Sequence, residues 1–334
     1  MRPSLLLLFS AAIHLGCGSA PFSGTGERAA TSAASAPVAK GSGVSAGTLT
    51  AGIWDDSLNF DRFTAFRDAQ SSPLVDFTAA EQQAAAGASR TATTALDIAV
   101  VIDTTGSMSD EIKWLKAEVA ALSADVATTH PGAQQRWALV HYRDDGDQYV
   151  VRHDDFTANL SDYRSSLSPL AAGGGGDFPE APERALAQAA QLSWSSAPST
   201  AKLVFWIADA PPHDDDVAPF SAAVRALRDR GVHVYPVASS GIDERTEYAM
   251  RASAQLTMGR YLFLTDDSGV GAAHKEPSIP CYVVTKLNHA VERVIASELA
   301  GTRVEVDPAK VIRTAGNPEQ GRCALGNGAV AHLF

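Results

Sequence analysis

Three short stretches of this 334-residue chain carry side chains that could do chemistry: "DTTGSM" from Asp103, "GGGGDFPE" from Gly173 and "ADAPPH" from Ala208. The first and last follow apolar runs, so each reads as a loop at the end of a buried strand. Three chemistries compete for such a place. A phosphate cradle of the Walker type needs glycines followed by Gly-Lys-Ser/Thr; no lysine stands here, and the partner stretches are acidic. An aspartyl nucleophile of the phosphatase kind needs a second Asp two positions on and a lysine from another loop; Thr105 stands in that position. A metal site fits best. Asp103, Thr105 and Ser107 alternate, so their side chains can converge on one point, and Gly106 lets the chain turn tightly between them. Carboxylates and hydroxyls are hard donors, suited to Mg²⁺ first and to Ca²⁺ or Mn²⁺ as alternatives, rather than to zinc. Asp209 offers a carboxylate opposite this loop.

The elements that would hold these loops are legible from pattern. "LDIAVVID" and "AKLVFWIAD" are continuous apolar runs ending in Asp, the signature of strands buried on both faces. "SDEIKWLKAEVAALSADVATTH" has an acidic start and helical spacing. "RWALVHYRD" and "DQYVVRHD" flank "DGD" and read as a hairpin. "PERALAQAAQLSW", "PFSAAVRALRDRG" and "RTEYAMRASAQLT" read as helices, "VHVYPVAS" and "RYLFLTD" as strands. "YVVTKLNHAVERVIASELAG" reads as one final helix. The expected fold is therefore α/β: a doubly wound, mostly parallel sheet with one antiparallel edge strand, helices on both faces and a small C-terminal β appendage. In such a sheet ligands sit beyond the carboxyl ends of the strands, which gathers the three stretches at one rim.

Arg2 followed by "SLLLLFSAAIHLG" and Cys17 has the form of a secretory leader. "LGC" is similar to a bacterial lipobox, with His14 where an aliphatic residue is usual, so Cys17 is the expected lipidation site. The expected organisation is a leader over 1–17, a flexible Ala/Ser/Gly/Thr-rich linker over 18–47, a short docking segment over 48–94, the main domain over 95–301 and an extension over 302–334. With Cys17 set aside, Cys281 and Cys323 remain as an even pair, expected to form a disulfide in an exported protein. A formal net charge of −11 argues against nucleic acid as partner and against docking on an anionic membrane through basic patches. No apolar run reaches the roughly 20 residues of a membrane span.

Taken together, "DTTGSM", "GGGGDFPE" and "ADAPPH" resemble the metal-ion-dependent adhesion site of von Willebrand factor type A domains, written D-x-S/T-x-S, then Thr, then Asp. The resemblance covers residues 95–301. It implies that Thr105 and Ser107 bind the metal directly, that Asp103 and Asp209 bind directly or through water, and that a partner's carboxylate completes the shell. Asp177 falls where the family usually has a threonine; an extra anionic ligand there would lower the cation's residual charge. The implied function is metal-dependent binding of a protein or surface ligand at a bacterial cell envelope, with no catalysis and with the membrane reached only through the lipid anchor. Two alternatives use the same rim: a metal-dependent hydrolase, for which Asp214, Asp215 and Asp216 are the nearby general bases, and a structural envelope protein whose metal only stabilises the fold. Local readings cover the rest. Glu180 and Glu183 read as the acidic start of a helix, "YRDDGDQ" as a turn, "HDDD" as a solvated loop, and His141, His153 and His233 as structural residues on strands.

Overall fold

A computed structural model describes residues 48–334 apart from 72, 73 and 177. The leader, Cys17 and the linker lie outside the described residues, as does Asp177. The chain begins with β1 (Thr50–Trp54), α1 (Phe60–Asp68) and α2 (Ala79–Ala86). There follow β2 (Ala95–Asp103), α3 (Ser109–Thr129), β3 (Gln134–Tyr142), β4 (Val151–Thr157) and α4 (Leu160–Leu167). Next come α5 (Pro182–Ala190), β5 (Thr200–Ala208), α6 (Val217–Asp229), β6 (Val232–Ala238), α7 (Glu244–Leu256) and β7 (Tyr261–Leu264). The chain closes with β8 (Tyr282–Lys286), α8 (Leu287–Ala300) and β9 (Arg313–Ala315), then β10 (Pro318–Glu319), β11 (Arg322–Ala324) and β12 (Val330–His332).

The main sheet has nine strands in the order β4-β3-β2-β5-β6-β7-β1-β8-β9. β3, β2, β5, β6 and β7 pair in parallel, and β4 runs against β3 at one edge. β1 enters antiparallel between β7 and β8, and β9 runs against β8. The sheet is thus mostly parallel, as the two-sided apolar strands require. Each of its faces is covered. Ile98, Val100 and Ile102 pack with Ile112, Leu115 and Val119 of α3 and with Val291 and Ile295 of α8. Ala99 and Val101 face the other way, toward Leu186 of α5, Val224 of α6 and Met250 of α7. The alternation of β2 between two dry faces accounts for its unbroken apolar run.

Two elements depart from the expectations. "YVVTK" is not the first turn of the final helix but strand β8; its β-branched residues find ladder partners in β1 and β9, and the helix starts only at Leu287. α4, between β4 and the glycine-rich loop, has no counterpart in the sequence reading. Beyond α8, β10, β11 and β12 form the small antiparallel sheet, joined to the main sheet by the Cys281–Cys323 disulfide.

Candidate functional site

Strand order reverses between β2 and β5, since the chain moves outward from β2 to β3 on one side and from β5 to β6 and β7 on the other. The register Ile102↔Ile207 brings the carboxyl ends of the two strands level. Asp103 is the last residue of β2, and Asp209 follows β5, so the two carboxylates face one crevice at the switch point.

The Asp103 loop is held by its own side chains. Asp103 Oδ1 accepts from the Thr105 amide at 2.8 Å and from the Thr105 hydroxyl at 2.7 Å, and the Thr105 and Ser107 hydroxyls lie 3.2 Å apart. The Ser107 hydroxyl in turn lies against Asp209. The glycine-rich loop docks onto this turn through main-chain bonds, Gly106 N–H to Gly174 C=O at 3.1 Å and Gly173 N–H to Thr104 C=O at 3.0 Å. Gly175 has φ +67°, and a Cβ there would stand 3.0 Å from Glu180 Oε1 and 3.2 Å from Thr105 Cβ. Glycine is required both for that backbone angle and for that approach. Asp103, Thr105, Ser107 and Asp209 are therefore brought together.

Glu180 joins them. Pro182 is the first residue of α5 and Ala181 its cap, so Glu180 precedes the helix and cannot serve as its first-turn charge. Its main chain is tied to the Asp209 loop by Glu180 N–H to Pro211 C=O at 3.1 Å and a bridge to Pro212. Its side chain lies against Thr105. The signal for it was in the sequence: proline favours the first helical position, which leaves a Glu two residues earlier outside the helix. Only Glu183 starts the helix, and it is itself buried. Two turn residues were missed as well. Asp147 accepts from the Gly175 amide at 2.7 Å, and Oδ1 of buried Asp144 lies 2.9 Å from His213 Nε2, which donates to it when that nitrogen carries the proton. "HDDD" is a 3₁₀ turn in which Asp214 pairs with Arg245.

The electrostatics are one-sided. Asp103 is 0% exposed, Glu180 3% and Asp209 5%, and Asp103 Oδ2, Glu180 Oε2 and Asp209 Oδ1 are buried without a hydrogen-bond partner among the described residues. Burial first, and then the charge of Asp209, raises the Asp103 pKa. Burial raises Asp209, Glu111 adding to it while the Ser107 hydroxyl opposes. Glu180 is pushed up to about 9, by burial and then by Asp103, Asp144 and Asp209. Among the described residues no Lys, Arg or His pairs with any of the three. Buried carboxylates in such a set need a proton or a cation among them. No three His, Cys, Asp or Glu side chains among the described residues form a ready-made metal cage. A hard cation here would accordingly take part of its shell from the Thr105 and Ser107 hydroxyls and from water, a donor set that suits Mg²⁺.

Behind the rim, buried His274 and Glu111 form a second constellation with exposed Asp266. His274 Nε2 is 2.9 Å from Glu111 Oε1 and His274 Nδ1 is 2.9 Å from Asp266 Oδ1, while Glu111 Oε1 also accepts from the Ser240 amide at 2.9 Å. It links the first turn of α3 to the loop after β7.

An open α/β sheet with an acidic, hydroxyl-bearing crevice at its switch point defines the class. The model of the von Willebrand factor A domain family matches residues 97–275, and the chain belongs to that family. A protein of Acanthamoeba polyphaga mimivirus described as an ariadne-like RING finger protein is 24% identical over 187 residues, 51% of this chain and 18% of that protein. Among solved structures, the pilus adhesin SpaC from Lactobacillus rhamnosus GG is similar with a TM-score of 0.40 and 14% identity, covering 51% of this chain and 28% of the adhesin. Its open conformation gives a TM-score of 0.39 and 14% identity, over 51% and 27% of the two chains. The chain thus spans less than a third of the length of each.

Proposed function

We propose that this chain is an exported interaction module that binds a protein or surface ligand through a divalent cation at the β2–β5 switch point, without catalysing a reaction. The observation that carries this reading is the convergence of three buried carboxylates, each with an unpartnered oxygen, on the hydroxyls of Thr105 and Ser107. Asp103, Thr105, Ser107 and Asp209 would hold the cation, with Asp177 as the further candidate from the glycine-rich loop. Mg²⁺ is the preferred ion, with Ca²⁺ or Mn²⁺ in its place if the loops adapt. When bound, the ion supplies a charge centre that offsets the carboxylates and can bind an oxygen ligand. The protein's own part is to fix the turn: Asp103 orients Thr105 through two hydrogen bonds, and the glycine-rich loop holds the crevice closed from one side.

Export and lipid anchoring rest on the leader-like stretch and Cys17. The Cys281–Cys323 disulfide is consistent with an oxidising compartment. Two experiments test the reading. In calorimetry, the full chain should bind Mg²⁺, Ca²⁺ or Mn²⁺, and Asp103→Ala and Asp209→Ala should each lose that binding. In a pull-down from envelope extract, a partner should be retained with the cation and released by EDTA. Absence of cation binding, or binding unchanged in both variants, refutes the cation site. A cation that raises the melting temperature while no partner is ever retained metal-dependently leaves only the stabilising role.

A further inference from the structure

Glu180 is the rim carboxylate that neither helix α5 nor any positively charged side chain among the described residues explains. It is 3% exposed, and its Oε2 is buried without a partner. Oε1 lies over Gly175 beside Thr105, where a Cβ on that glycine would stand 3.0 Å from it. Its backbone, at the end of the glycine-rich stretch, is tied to the Asp209 loop through Pro211 and Pro212. The backbone that carries the side chain is therefore anchored to the Asp209 loop rather than hanging free at the crevice. A buried, unpartnered carboxylate in that place is costly unless a positive charge compensates it.

We propose that Glu180 is a resident ligand of the rim cation, supplied by the third loop where the family's pattern has a neutral hydroxyl side chain. This rests on the cation-binding reading above. Its consequence concerns the partner. Asp103, Asp209 and Glu180 do not close into a cage of three direct ligands. With Glu180 on the ion and the two aspartates bordering the same crevice, three negative charges nevertheless stand about a divalent ion, and no net positive charge is left to attract an acidic side chain. The partner is then recognised by what the rim presents around the ion. The prominent candidate is Phe178, two residues from Glu180, whose side chain is 47% exposed. An apolar or aromatic surface, rather than an acidic peptide, is the partner chemistry that fits.

The test is Mg²⁺ and Mn²⁺ titration calorimetry at neutral pH on the full chain, Glu180→Gln and Asp103→Ala, with melting temperatures in EDTA. Glu180→Gln is nearly isosteric and should bind the cation at least tenfold more weakly. In EDTA it should melt no lower than the unmodified chain, because the amide replaces a buried carboxyl whose Oε2 has no partner among the described residues. A Glu180→Gln affinity equal to that of the unmodified chain, with Asp103→Ala losing binding, overturns the assignment of Glu180 and leaves the cation site standing. A lower melting temperature in EDTA together with unchanged cation affinity likewise assigns Glu180 a purely structural role. Absence of cation binding by the unmodified chain overturns both readings at once.

Discussion

Replacing Arg251 tests whether the N-terminal segment is built into the domain. β1 carries Asp55 and Asp56 just past its end, and both are drawn inward. Asp55 pairs with Arg260 at 2.9 Å. Asp56 is held by both arms of Arg251, at 2.9 Å from Nε to Oδ2 and 2.7 Å from the guanidinium to Oδ1, while the Trp54 indole donates to Oδ1 at 3.0 Å. The remaining arm of Arg251 reaches Glu247 at 3.0 Å, and the guanidinium stacks 4.0 Å from the Phe66 ring centre. The Arg251, Asp56 and Glu247 side chains are 2%, 1% and 0% exposed, so screening by solvent does not discount the pairing. In Arg251→Met, Glu247 keeps Lys275 and the Ser278 amide, but Asp56 keeps only the Trp54 indole. Stranding one buried charge in this way costs about 3–5 kcal/mol. With a urea slope of about 3 kcal/mol per M, the unfolding midpoint should fall by about 1–1.7 M. Asp56→Asn in the same chain removes the stranded charge and keeps an acceptor for Trp54, so the double variant should recover at least half of the loss. The assay is urea unfolding followed by tryptophan fluorescence with the disulfide intact. A single-variant shift corresponding to less than about 1 kcal/mol, or a double variant whose losses simply add, would refute the claim that the segment is locked in by this network.

Other outcomes follow from the same geometry. Burial alone would lower the His274 pKa, but hydrogen bonds to Glu111 and Asp266 outweigh it and raise it above 6.5. A raised folded-state value means stability that is fully present below 6.5 and lost as pH rises through the folded value. The urea-midpoint gap between the unmodified chain and His274→Gln should therefore shrink from pH 6 to pH 9; a constant gap would show that His274 acts by packing alone. Phe178→Ala should leave calorimetric cation affinity unchanged while weakening EDTA-sensitive partner retention at least tenfold, and full retention would exclude Phe178 from the contact. The Cys281–Cys323 bridge closes a loop with a sequence separation of 42. Its removal as the double serine variant should cost up to about 4 kcal/mol on the chain-entropy account. Because Cys281 precedes β8 at the end of the sheet opposite the rim, cation affinity should not change, and its loss would show coupling between the two ends.

What the sequence disclosed follows from how far apart the cooperating residues lie. Asp103, Thr105 and Ser107 form their hydrogen bonds within five positions of one another, so their spacing alone displays the turn. The β2 and β5 runs are legible because burial on both faces writes itself into every residue of the strand. β1 is different. Its five residues are all buried, yet "TAGIW" has no local mark of a place between β7 and β8, and Gly52 is needed only because the Phe263 ring packs over it. β8 runs into α8 without a turn residue between them, which merges two periodicities into one.

The acidic rim residues divide along the same line. Asp147 in "YRDDGDQ" has the composition of a turn and sits in one, and its bond to Gly175 depends on a loop 28 positions away. Composition cannot separate those two uses. Glu180 is the sharper case, because the local rule that explained it, negative charge at a helix start, was contradicted by Pro182 two residues later. Once Pro182 fixes the start of α5, Glu180 has no helix to serve and is left at the crevice with a free oxygen. A misplaced local explanation thus concealed the residue on which the charge balance of the whole crevice depends.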